Sequence, residues 1–358
     1  MSACTRALTR ERIPTELAPP LSPKQVRVLH AIAAASTTIA TITLHTASTD
    51  VTGSINDCGD AQLGADLAAD AVCTAALRAS GAVEITSSEE STAEADAGGA
   101  GYSVAFDPLD GSSILSAGWA VGAIFGVWPG KGLVGRPGRD QAAAAYALFG
   151  SRTLLVIARP VSGAGAPHTV DEHELGPDGR TWARVRAGVR LNEAALSQHG
   201  SGATHGTTKF FAPANLRCAA LGSAAGQDAN APYRALVDAH LGARATLRYT
   251  GGLVPDLHHI LSKGAGAFLN PASAGAPPKL RLLYEVAPLS LIMEAAGGAA
   301  DDGAGRALDQ AADTPDARTV VAFGEPAVVA AAREALRFGG YAGGQRGERV
   351  GVAGSGKG

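Results

Sequence analysis

Apolar positions recur at helical spacing over residues 22–40, where Val26, Leu29 and Ile32 share one face and Ser22-Pro23 supplies an N-terminal start. A polar stretch over 46–59 leads to Asp60, after which Leu63, Leu67 and Val72 predict a second amphipathic helix carrying Asp66 and Asp70. Short apolar runs at 83–86, 102–106, 121–128 and 153–158 read as strands, and residues 168–185, interrupted by Gly176-Pro177-Asp178-Gly179, read as a hairpin. The Ala-rich run 141–149, stopped by Gly150, predicts a helix. A second group of elements begins near residue 205. It comprises a helix over 231–241, a strand over 246–250, a helix from Val254, a strand around Ala267-Phe268, an apolar run 280–283 leading into a helix over 285–296, a strand over 319–323 and a last helix over 326–338. Helices and strands alternate in both halves, which predicts an α/β (α+β layered) fold with alternating helix and sheet layers in two subdomains, 21–204 and 205–338. A flexible segment 1–20 and a disordered, apolar-poor tail 339–358 complete the expected organisation.

Composition narrows the function more than the fold. The chain has 358 residues and 46% hydrophobic content, enough for a large core. Its net charge is −3 with no long basic run, which argues against nucleic acid or an acidic membrane surface as a partner. Cys4, Cys58, Cys73 and Cys218 form no CxxC pair, so neither a zinc site nor a disulfide framework is indicated, and a reducing compartment fits. No apolar run reads as membrane-spanning. The opening segment mixes Arg6, Arg10 and Arg12 with Ser and Thr as transit peptides do, yet carries Glu11 and Glu16; a cytosolic location is expected, with the plastid stroma as the alternative. Gly351 to Lys357 has P-loop spacing without a preceding strand or a following helix, and it is discarded.

The chemistry centres on Phe106-Asp107-Pro108-Leu109-Asp110-Gly111-Ser112-Ser113. A strand delivers two carboxylates into a turn stiffened by proline, at the kind of strand end where open α/β sheets bind ligands. Such a turn can be a solvated Asx-rich connection, or it can hold a hard cation that offsets the mutual repulsion of Asp107 and Asp110, with the Leu109 carbonyl as a further ligand. The amides of Gly111, Ser112 and Ser113 can then bind a phosphate. Asp60, Glu89, Glu90 and Glu285 also stand at element ends, and folding that gathers them would create a site for two or more cations and an anionic substrate such as a phosphate ester.

These residues resemble the signatures of the fructose-1,6-bisphosphatase superfamily: Phe106 to Ser113, Ser88-Glu89-Glu90, and Lys279-Leu280-Arg281-Leu282-Leu283-Tyr284-Glu285, in the family's order. Tyr102 to Phe106, Ile124 to Gly130, Pro213-Ala214-Asn215-Leu216-Arg217, Leu247 to Gly252 and Lys279 to Pro288 are most similar to its sedoheptulose-1,7-bisphosphatase branch, over residues 22–338. The resemblance implies that family's sugar phosphatase fold, with 21–204 as a metal-binding and 205–338 as a substrate-binding subdomain. It implies hydrolysis of the C1 phosphate of sedoheptulose 1,7-bisphosphate; the alternatives are a fructose-1,6-bisphosphatase or dual-specificity enzyme and, more distantly, a non-catalytic sugar-phosphate sensor.

It also implies two or three Mg²⁺ per subunit, with Mn²⁺ as a substitute, and a homodimer or homotetramer. Carried over residue by residue, Glu89, Asp107, Leu109, Asp110 and Glu285 fall on metal positions and Asp60 on a further acidic one. Asp66 and Glu90 fall on the pair that activates the attacking water. Asn215, Arg248, Tyr249 and Lys279 fall on the distal-phosphate grip, with the arginine able to come from a neighbouring subunit, while Gly111, Ser112 and Ser113 keep the phosphate-binding reading of their amides. The positions of the plant enzymes' regulatory cysteine pair read Thr49 and Ser54, and those of the allosteric nucleotide site read Gly101-Tyr102 and Pro129, so neither control is expected.

Overall fold

A computed structural model describes residues 21–163, 165–192, 206–219 and 230–338 apart from 46–50 and 56–60, with the backbone alone at 45, 51–55 and 61–62. The expectations for 1–20, for Asp60 and for the tail 339–358 lie outside the described residues. The first helix, α1 (Pro23–His45), starts at the Pro expected to open it, and α2 (Gly64–Ala79) carries Asp66 in its first turn. Between them the polar stretch contains a short antiparallel pair, β1 (Val51–Ile55) and β2 (Ala61–Leu63), that its composition did not suggest.

The chain then builds a mixed eight-stranded sheet from β3 (Val83–Ser88), β4 (Ala95–Asp96), β5 (Tyr102–Asp110), β6 (Val121–Pro129), β7 (Ala143–Phe149), β8 (Thr153–Pro160), β9 (His168–Leu175) and β10 (Trp182–Arg186). Its spatial order is β10-β9-β8-β7-β6-β5-β3-β4, and only β3 and β5 pair in parallel. A five-stranded sheet, ordered β12-β11-β13-β15-β14, follows from β11 (Phe210–Pro213), β12 (Thr246–Leu247), β13 (Ala267–Asn270), β14 (Ala299–Asp301) and β15 (Val321–Gly324). The remaining helices are α3 (Ala231–Gly242), α4 (Leu253–Lys263), α5 (Ala287–Ala295) and α6 (Pro326–Arg337).

Three apolar clusters define the layering. Val28, Ile32 and Ile39 of α1 and Cys73 and Leu77 of α2 pack on one face of the large sheet against Phe106 and Phe125. Leu257 and Ile260 of α4 and Leu289 and Met293 of α5 fill the space between Ile124 and Tyr146 of that sheet and Phe268 and Phe323 of the smaller one. Tyr233 of α3 and Val328 and Leu336 of α6 cover the outer face against Phe211 and Leu269. The result is a helix–sheet–helix–sheet–helix stack, the layered α/β class the alternation predicts. Burying each of these large side chains contributes roughly 1.5–3 kcal/mol.

One expectation is overturned. Within the expected helix 141–149, Ala143–Phe149 form β7 instead, because both sides of this segment are covered: Ala143, Ala145, Ala147 and Phe149 face the α1/α2 cluster while Ala144 and Tyr146 face α4 and α5. A two-residue burial period with partners on both edges outweighs alanine's helical preference. Smaller corrections follow the same logic. The strand expected at 246–250 closes after Leu247, and that at 319–323 runs over Val321–Gly324. Residues Leu282–Val286 make a π-helical turn before α5. Finally, α1 is long and apolar enough to cross a membrane by length and composition, contrary to the sequence reading, but 56% of its apolar window is buried inside the protein.

Candidate active site

The parallel pair β3 and β5 ends with both C-termini on one side, and this is where the acidic motifs meet. Glu89 follows β3 directly, its N–H donating to the Phe106 carbonyl at 3.0 Å, which fixes it beside Asp107. The C-terminal ends of β11 and β13, also parallel, open on the same cleft of about 620 Å³, lined from the acidic side by Glu89, Glu90, Asp107, Asp110 and Glu285. Strand ends of this kind are the usual ligand position in open sheets.

Two glycines make the convergence possible. At Gly122 an added Cβ would lie 2.4 Å from Val254, so only glycine lets α4 begin this close to β6. Gly111 has φ +81°, and a Cβ there would come within 3.0 Å of the Gly252 backbone. Asp110 exploits the approach: its carboxylate accepts from the Leu253 and Val254 amides at 3.1 and 2.6 Å, capping α4 across the domain. Ser112–Ala117 then form a 3₁₀ turn.

Carboxylate oxygens of Glu89, Asp107 and Glu285 lie within 4.8 Å of one another. The π-helical turn places Glu285, whose Oε2 accepts from the Arg281 amide at 2.5 Å, and Tyr284 of the same turn ties it to β3 through a 2.8 Å bond to Ser87. Burial, followed by the charges of Glu89, Asp110 and Glu285, pushes Asp107 well above the carboxylate range, and burial with the Glu89 charge does the same to Glu285. Glu89 is pushed up to about 7, chiefly by burial and against the opposing Arg281 charge, and Asp110 to about 6 by burial. The set is all oxygen, crowded and short of positive charge, which is the donor chemistry of a hard divalent cation. A prediction follows for the cation-free protein in chelator. Raised folded-state values mean that the native state binds more protons than the unfolded chain, so stability is fullest at low pH and falls as pH rises through about 4 to about 7. The melting temperature should therefore drop between about pH 5 and about pH 8, and added divalent cation should reverse that drop; a flat profile would contradict the crowding.

The other expected residues divide. Glu90, Leu109, Gly111, Ser112, Ser113, Asn215, Tyr249 and Lys279 all line the cleft. Asp66 lies behind them, buried, accepting from the Leu63 amide at 2.8 Å and hydrogen-bonded to Ser112; burial raises its pKa. Arg248 does not line its own chain's cleft; it is exposed, and its guanidinium donates to the Leu247 carbonyl. Asn215 does line it, but its amide nitrogen donates to the carbonyls of Pro271 and Ala276 at 2.8 and 3.2 Å.

Arg281 was not singled out by sequence reasoning. It is 4% exposed, pairs with Glu89 and reaches Asp316 at 3.1 Å, so it is the fixed counter-charge of the acidic group. Its position two residues after Lys279, hence on the same side of an extended segment, was the available signal. Arg217 and Arg318 also line the cleft and were likewise unassigned.

The chain also matches known proteins over most of its length. The model of the fructose-1-6-bisphosphatase N-terminal domain matches residues 19–176, and that of the C-terminal domain matches 212–337. The chain is 40% identical to the chloroplastic sedoheptulose-1,7-bisphosphatase of Chlamydomonas reinhardtii over 327 residues, covering 89% of this chain and 77% of that protein. It is 35% identical to the class 1 fructose-1,6-bisphosphatase of Syntrophotalea carbinolica, covering 74% of this chain and 75% of that one. A crystal structure assigned as a sedoheptulose-1,7-bisphosphatase from Toxoplasma gondii superposes with a TM-score of 0.75 at 31% identity, over 88% of this chain and 95% of the other.

Proposed function

Because this chain belongs to the fructose-1,6-bisphosphatase family, we propose that it is a sugar bisphosphatase that hydrolyses the C1 phosphate of sedoheptulose 1,7-bisphosphate. The observation that carries the reading is the meeting of Glu89, Asp107 and Glu285 in a cleft that Arg217 and Lys279 also line. A cleft that offers carboxylates to cations and cationic side chains to an anion suits a sugar bisphosphate.

In this account Glu89, Asp107, Asp110, Glu285 and the Leu109 carbonyl hold two or three Mg²⁺, with Mn²⁺ as a substitute, and Asp60 completes the acidic set. Bound cations supply positive charge against the phosphate and leaving ester oxygens. The amides of Gly111, Ser112 and Ser113 orient the scissile phosphate, a turn geometry suited to anions. Glu90 takes the proton of the attacking water at its cleft-facing carboxylate, and Asp66, behind Ser112, orients that water through the serine hydroxyl. Tyr249 and Lys279 bind the distal phosphate, while Asn215 holds the adjoining wall. Arg248 serves a neighbouring subunit's cleft in a homodimer or homotetramer, which its place outside its own cleft supports. Residues 21–204 supply the cation-binding subdomain and 205–338 the substrate-binding one.

The sugar preference is tested by kcat/KM for sedoheptulose 1,7-bisphosphate and fructose 1,6-bisphosphate with Mg²⁺ present. A ratio favouring the seven-carbon sugar is expected; a ratio favouring fructose 1,6-bisphosphate moves the enzyme to the six-carbon alternative. For location, the relatives named as chloroplastic favour the plastid stroma over the cytosol expected from the sequence. A full-length fluorescent fusion found only in the cytosol would reverse that placement.

A further inference from the structure

Arg217, Lys279, Arg281 and Arg318 are the cationic side chains that line the cleft among the described residues. Arg281 is committed to Glu89 and Asp316, and Arg318 lies 3.4 Å from Asp316. Arg217 is exposed in the cleft wall, and no ion pair engages it among the described residues.

Its setting is rigid. Asn215 stands just before it in the left-handed region at φ 51°, and both hydrogens of its amide are used on the Pro271 and Ala276 carbonyls. The Cys218 thiol, buried just after it, faces the same two carbonyls at 3.6 and 3.7 Å, and the Cys218 amide donates back to the Asn215 carbonyl at 2.9 Å. Tyr233 fixes the entry to the turn through a 2.6 Å bond to the Ala214 carbonyl, and the Asn230 amide fixes its exit on the Cys218 carbonyl at 2.7 Å. The turn is thus anchored on both sides of Arg217. An Asn215 amide with both hydrogens engaged has only its oxygen left, and an oxygen repels a phosphate.

We infer that Arg217 is a distal-phosphate ligand of this cleft and that Asn215 is the positioning residue that presents it. The inference rests on the sugar-bisphosphatase reading and deepens it, by naming which charge of the 215–218 turn takes the substrate's non-reacting phosphate. A guanidinium fork matches two phosphate oxygens at once, and a turn already held in place loses little freedom on binding.

The test uses full-length wild type, Arg217→Ala and Arg217→Gln, with phosphate release from sedoheptulose 1,7-bisphosphate and calorimetric binding of sedoheptulose 7-phosphate, which carries only the distal group. Both variants should raise KM and weaken sedoheptulose 7-phosphate by about 10-fold or more, with kcat held within about 2-fold, since a charged hydrogen bond made equally in ground and transition states acts on binding. Arg217→Lys should recover part of the loss. Wild-type KM and product affinity in both Ala and Gln variants would overturn the inference, as would a fall in kcat at unchanged KM. Wild-type protein that releases no phosphate from either bisphosphate defeats the proposed function itself, whereas an active wild type with indistinguishable variants defeats the Arg217 assignment alone.

Discussion

Asp107→Asn should abolish most turnover while making the cation-free protein harder to melt. Asp107 is 5% exposed, and Glu89, Asp110 and Glu285 all work against its ionisation. Replacing its carboxylate by an amide removes one repelling charge from a buried group and keeps the side-chain volume, so in chelator the melting temperature should rise, by about 1–2 °C for each kcal/mol relieved. The same change deletes a ligand at the centre of the acidic set. Residues that merely orient metal ligands already cost roughly 10–100-fold, so loss of this one should lower kcat/KM by at least about 100-fold. The stabilisation of wild type by added Mg²⁺ should shrink in parallel. Thermal melts with and without Mg²⁺, alongside phosphate release, read all three; near-normal turnover in Asp107→Asn would remove Asp107 from the mechanism.

The second large effect is expected at Arg281. Its guanidinium is buried against Glu89 and Asp316, and its backbone amide holds Glu285. Arg281→Ala leaves the mostly buried Glu89 without its fixed counter-charge, a loss of at most about 3–5 kcal/mol, the cost of breaking a fully buried pair. The cost should depend on pH in a stated direction. Glu89 already titrates near 7 with Arg281 beside it, and without that charge its value moves higher still. At about pH 5 the orphaned carboxyl is protonated and tolerable; at about pH 8 it must either stay protonated against the solvent or ionise unpaired. Urea denaturation should therefore show a larger loss at the higher pH, partly restored by divalent cation. An equal loss at both pH values would mean that Arg281 contributes packing alone. Arg281→Lys should fall between, since an ammonium keeps the charge and loses the fork that reaches both carboxylates.

These residues also mark how far the sequence could be read. The segment from Asp107 to Ser113 was legible as chemistry because proline, paired aspartates and glycine stand together within it, but the strand expected to end at Phe106 continues as β5 to Asp110, with an irregularity in pairing between Asp107 and Asp110. Glu89 and Glu285 were legible as acidic residues at element ends. Arg281 was not, because burial alone distinguishes it from a solvated arginine, and burial belongs to the packing of the π-helical turn against β5 and β6. The same holds for β7. Four of its seven residues are alanine, which carries little information about period, and the two covering helix layers that make it a strand lie elsewhere in the chain. At Asn215 the residue type suited a phosphate ligand, and the sequence could not show that its amide hydrogens are engaged by two carbonyls more than fifty residues away in the chain.

The central claim is that the gathered carboxylates make this chain a cation-dependent sugar bisphosphatase. The most direct measurement is phosphate release from sedoheptulose 1,7-bisphosphate by the purified full-length chain, first in chelator and then with Mg²⁺ restored. Release that is absent in chelator, returns with Mg²⁺ and leaves sedoheptulose 7-phosphate is the predicted result. Undiminished release in chelator, or no release from this sugar or from fructose 1,6-bisphosphate with Mg²⁺ present, would contradict it.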